Sequence, residues 1–90
     1  MMSQPQENKV DLFKWNIEKW SKAKVGSRIV WKMRAQKIYQ EMTHYENLLL
    51  ADMAKIYTVE EARLALCVGL RAPCQEAFTV RIAELRGLEV

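Results

Sequence analysis

Ninety residues, half of them apolar and carrying a formal charge of +3, set the size of one small domain and exclude a disordered coil. Three glycines, two prolines and no alternating apolar pattern argue against a β-rich fold, and no apolar run approaches the roughly 20 residues that cross a bilayer. The charge is unevenly spread: residues 1–40 hold nine Lys/Arg against three Asp/Glu, while residues 41–90 hold five against eight.

Residues 1–8 form a polar lead-in, without the apolar core of a secretion signal. Asn8 then stands where a helix N-cap would, and Val10, Phe13, Ile17 and Trp20 recur at spacings of three and four, one apolar helix face. Trp15 falls off that face and is expected at a second packing surface or a partner contact. Gly26 and Ser27 are expected to end this helix and open the next. From Ser27 to about Tyr57 no Pro or Gly interrupts the chain, which predicts one very long helix, a rod of about 45 Å. Thr58 and Glu61 have capping-box spacing and start a third helix that Gly69 ends. Pro73 and Gly87 bracket a C-terminal helix or tail, taken as residues 74–90, after a helical domain over 9–73.

On the expected long helix, Trp31, Ala35, Ile38, Met42, Tyr45, Leu49, Met53 and Ile56 share one narrow arc. Their alternating spacing of four and three is that of a seam packed lengthwise on another helix. Helix one offers too few apolar residues to cover that seam. Trp31, Ile38, Met42, Tyr45, Leu49 and Met53 are therefore expected at a homodimer interface. The opposite side carries Lys32, Gln36, Tyr39, Gln40, Thr43 and Asn47, with Arg28 at its N-terminal border, Glu46 at its border further along and no acid inside it. Seven basic residues lie between Lys19 and Lys37 with no acid among them, although exposed helices usually mix signs. Such a surface suits an anionic partner: cations meet phosphates, and neutral amides and hydroxyls meet sugar oxygens. Lys24, Arg28, Lys32, Gln36, Lys37, Gln40, Thr43 and Asn47 are the candidate RNA contacts.

Catalytic patterns are missing from the sequence. His44 stands alone, Cys67 and Cys74 match no zinc spacing, and there is no phosphate-cradling glycine loop. No enzyme, cofactor, metal or small-molecule substrate is expected. Cys67 is expected to be buried on an apolar helix face, and both thiols to be free in a reducing, cytoplasmic compartment. A membrane surface is not the expected partner, because so small a chain needs its apolar seam for a core.

The order of helices, the segment "VGLRAP" and the tail "APCQEAFTVRIAELRGLE" together resemble the nodavirus suppressor of RNA silencing. In that tail a Gly precedes Ala72-Pro73, Glu76-Ala77 follows, and a Leu/Arg/Glu-rich run reaches Leu88-Glu89. Helix lengths agree over residues 9–73. The resemblance implies an all-α antiparallel homodimer, a four-helix bundle with short C-terminal helices. Such a dimer coats double-stranded RNA without reading sequence and shields it, and small RNAs, from dicing and loading. The family spreads its basic residues along the long helix, whereas here they crowd into its first third. Carry-over is therefore limited to Arg28, Lys32, Arg34 and Lys37. Two other readings stand beside it: a helical adaptor or chaperone for an acidic protein, and a small DNA-binding regulator.

Overall fold

Asn8 opens the first helix as expected, its side-chain oxygen accepting the Asp11 backbone N–H at 2.8 Å. The structure, a computed structural model, describes residues 8–87, so the lead-in before Asn8 lies outside it. The α-helices are α1 (Lys9–Lys22), α2 (Val25–Gln40), α3 (His44–Met53), α4 (Val59–Cys67) and α5 (Ala72–Gly87). A single 3-10 turn, Ala54–Ile56, follows α3. No strand occurs among the described residues, and the fold is all-α.

The predicted apolar face of α1 is the centre of the core. Val10, Phe13, Ile17 and Trp20 are all buried, and α1 packs against α2, α3 and α4. A 14-residue helix is marginal alone in water, so α1 is held by this burial, worth about 1.5–3 kcal/mol per large side chain. The chain then turns earlier than the glycine suggests. Ala23 and Lys24 are extended, and Gly26 sits inside the first turn of α2. The Trp20 carbonyl accepts both the Ala23 N–H and the Arg28 guanidinium, each at 3.2 Å, which closes the end of α1.

The long helix does not form. The chain leaves the helix at Glu41–Thr43, with Thr43 extended at φ −76° and ψ 170°. Thr43 and Glu46 make a complete capping box: the Thr43 hydroxyl accepts the Glu46 N–H at 3.1 Å, and the Glu46 carboxylate accepts the Thr43 N–H at 2.8 Å. This Thr-x-x-Glu signal is the same one that opens α4 at Thr58 and Glu61. The break lets Met42 turn into the core, 4 % exposed. The Cα trace spans 37 × 31 × 24 Å, too short in every direction for a 45 Å rod.

The expected dimer seam is consequently consumed within the chain. Ala35 and Met42 are buried, and Trp31, Ile38, Leu49 and Met53 pack partly buried against the same core. Tyr45 and Ile56 point away and are exposed. A four-helix bundle built on that seam is not what this chain presents. The C-terminal segment is also no appendage. Cys74 and Phe78 of α5 are fully buried, Phe78 meets Tyr57 edge to face at 4.7 Å, and the expected boundary at residue 73 falls in the first turn of α5. Gly69 closes α4 at φ +90°, a conformation that favours glycine.

Candidate nucleic-acid interface

Helices α1 and α2 form a hairpin, and its open side gathers the cations that the sequence groups together. Lys19 lies over the Trp15 ring with its ammonium 5.4 Å from the centroid, and Arg34 lies over the Trp31 ring at 5.0 Å. The two indoles meet edge to face at 5.6 Å, so the four side chains run as one row across both helices. The row continues into a groove of about 400 Å³ where Arg34 and Lys37 face Leu12, Asn16, Ile38 and Glu41. On the other side of the same two cations, Met33, Gln36 and Gln40 line a shallower hollow.

Cations outnumber acids on this surface, with Glu41 lining the groove beside Arg34 and Lys37. Among the described residues the ion pairs are Lys14 with Glu18 at 2.7 Å and Lys14 with Glu61 at 3.6 Å. Among the described residues none of the cations from Lys19 to Lys37 has a carboxylate within ion-pair distance. The start of α2 adds to the field: Lys24 caps it without any side-chain hydrogen bond, and its first turn holds no acid. No protein-family model, curated protein or solved structure matches the chain.

The candidate contacts divide under this geometry. Lys24, Lys37 and Gln40 are exposed, and Lys32 and Gln36 are half-buried on α2. Arg28 spends its guanidinium on the Trp20 carbonyl. Thr43 is exposed, but its hydroxyl caps α3. Asn47 is 2 % exposed and belongs to the interior.

Asn47 and Tyr39 instead join α2, α3 and α5. The Tyr39 hydroxyl donates to Asn47 Oδ1 and accepts the Arg71 backbone N–H at 2.7 Å. Asn47 Nδ2 donates to the Thr43 carbonyl at 3.0 Å, and the Cys74 thiol donates to the Asn47 carbonyl at 3.1 Å. Burial is the main cause that raises the Tyr39 hydroxyl and the Cys74 thiol above their ordinary pKa values. Both stay protonated, and the cluster acts as a structural lock. Cys67, expected inside, is exposed, while Cys74 is buried, and both are free.

The sequence pattern sets Trp15 at a second packing surface or a partner contact but does not pair it with Trp31. The signal is that Trp15 stands off the buried face of α1, where a side chain must find either solvent or a second helix. Trp31 was placed on the dimer seam instead.

Proposed function

We propose that this chain binds double-stranded RNA without reading its sequence, through the α1–α2 surface. What carries the reading is the row of cations from Lys19 to Lys37 with no ion-pair partner among the described residues, set around the half-exposed Trp15 and Trp31. Lys19, Lys22, Lys24, Lys32, Arg34 and Lys37 would meet phosphates and displace condensed counterions. Gln36 and Gln40, neutral and pointing into the same surface, would meet 2′-hydroxyls across a shallow minor groove. Two chains together would cover more of a duplex than one, as the nodavirus resemblance implies. A coat of that kind in the host cytoplasm would keep dicing and loading machinery off the RNA. The role is binding and not catalysis.

Fluorescence anisotropy with an RNA duplex, a DNA duplex and a single strand tests this directly. The RNA duplex binds tightest and sequence changes leave its affinity alone. Replacing both Arg34 and Lys37 by Ala weakens all RNA duplexes alike and flattens log affinity against log salt by roughly 0.9 per lost phosphate contact. Equal affinity for DNA and RNA duplexes, or a double variant that binds like the parent, overturns the reading.

A second reading is favoured by one observation. Val25, Ile29, Val30 and Met33 are exposed on the outer side of α2, and apolar side chains grouped this way suit a protein partner with acidic margins.

A further inference from the structure

The outer face of α2 shows Val25 89 %, Ile29 56 %, Met33 61 % and Val30 46 % exposed. Val25, Ile29 and Met33 follow one another at intervals of four, so they stand on one side of the helix, over about 12 Å. Lys24 lies at one end of this strip, and Arg34 and Lys37 lie at the other. A helix end and a solvated face would explain the lysines. They do not explain four apolar residues left in water beside them.

A surface of opposite character occurs on the same chain. An open groove of about 390 Å³ runs between α5 and the α3/3-10 segment. Ala51, Ala54, Ala77 and Val80 give it apolar walls, and alanines there let a helix approach closely. Asp52, Glu76 and Glu84 stand around it, and none of these carboxylates has an ion-pair partner among the described residues. Lys55 and Arg81 share the groove, Arg81 donating its Nε to the Tyr57 carbonyl at 3.0 Å, so the lining carries three carboxylates against two cations.

We propose that this chain associates with copies of itself head to tail, the outer face of α2 from one copy seating in the α3/α5 groove of the next. Ile29 and Met33 enter over the alanines, and Lys24, Arg34 and Lys37 meet Asp52, Glu76 and Glu84. A chain cannot fill its own groove this way. Its α2 packs on α1, whereas its α5 packs on α3, α4 and the 3-10 turn. Nor does α2 suit a symmetric pair. With no acid between Lys19 and Gln40, an antiparallel α2 pair centred on Ile29 sets Lys24 against Arg34 across the contact. A head-to-tail contact between unlike surfaces does not close on itself at two copies, so assembly grows with concentration. The two indoles lie toward α1 and not on this outer strip, but Lys24, Arg34 and Lys37 serve both surfaces, so RNA and a neighbouring copy compete for these cations.

Sedimentation velocity on RNA-free protein, with far-UV circular dichroism to check folding, tests the contact. The parent's mean mass rises with concentration past two chains at low salt. Going from 50 to 500 mM salt weakens association on the order of tenfold. Ile29→Asp combined with Met33→Asp removes the strip and leaves the groove. Glu76→Lys combined with Val80→Lys removes the groove and leaves the strip. Each variant alone is a monomer, and an equimolar mixture forms a one-to-one dimer and nothing larger. A parent that stays monomeric at the highest concentration overturns the proposal and leaves the strip to a foreign protein. A groove variant that still self-associates like the parent overturns it in favour of a symmetric α2 pair, and a mixture that stays monomeric overturns it outright. Should the variants lose helicity, Lys37→Glu and Glu76→Lys in separate chains, both at exposed positions, replace them. Each alone associates more weakly than the parent, and the mixture recovers association because every contact again pairs Lys with Glu. A mixture no stronger than either alone overturns the proposal. RNA affinity of the parent is measured separately, so failure of one reading leaves the other standing.

Discussion

Two buried tyrosines show how one hydroxyl holds the fold while another merely occupies space. Tyr39 has two partners, on Asn47 and Arg71, whereas the Tyr57 hydroxyl is buried with none among the described residues. Removing the first hydroxyl strands the Arg71 N–H and leaves Asn47 Oδ1 only the Cys74 thiol, at 3.6 Å. Tyr39→Phe therefore costs about 1–3 kcal/mol in a urea melt. Tyr57→Phe removes a group that gave up water and gained nothing, so it is neutral or stabilising. A loss on the scale of Tyr39→Phe at Tyr57 would contradict this account. The same groups set an alkaline limit. Burial raises Cys74 above its ordinary 9.0 and Tyr39 above its ordinary 10.0, and it raises Tyr57 further still. In each case the folded state keeps a proton that the unfolded chain releases. Stability is thus full below about pH 9 and falls as pH rises through the interval up to the raised folded values. The slope above pH 10 is smaller in Tyr57→Phe, as thermal melts across pH 8 to 11 will show.

At the scale of elements, helix ends decide more than helix interiors. Residues 27–57 hold no helix breaker, yet Thr43 and Glu46 end one helix and begin another. A local cap of this kind contributes about 1 kcal/mol, enough to tip a short segment when Met42 also gains burial by leaving the helix. The fate of α5 follows from burial rather than from its place in the chain. Phe78 is fully buried against Tyr57, so Phe78→Ala costs about 3–5 kcal/mol, and deletion of residues 72–90 abolishes the cooperative melt. A truncated chain that still melted cooperatively would return α5 to the role of a tail.

Over the whole molecule, the asymmetry of charge along the sequence becomes an asymmetry in space. The excess of bases stays on the α1–α2 hairpin, and acids collect around the α3/α5 groove on other elements. Shape follows the same packing. With a Cα radius of gyration of 12.7 Å, a dilute sample in high salt scatters as a compact single chain and not as an extended rod. Small-angle scattering measures this. A much larger radius under those conditions would mean that the break at Thr43 does not hold.

The sequence by itself determined the helical class, the apolar face of α1 and the caps at Asn8, Thr58 and Gly69. Each of these depends on neighbours within one or two helical turns, and such neighbours are fixed by spacing alone. Pattern at one period cannot say which of two apolar stripes on α2 goes inside. Ala35 and Tyr39 went in because Phe13, 5.9 Å from the Tyr39 ring, waits on α1 to receive them, while Ile29 and Met33 found no helix opposite. Two positions of the polar stripe went inside for the same reason. Tyr39 and Asn47 look solvent-facing along one helix, but Arg71 and Cys74 lie 32 and 27 residues further on and supply their partners. Only the tertiary structure decided which polar groups were interior, because a hydrogen bond across the fold outweighs the local preference of each residue for water.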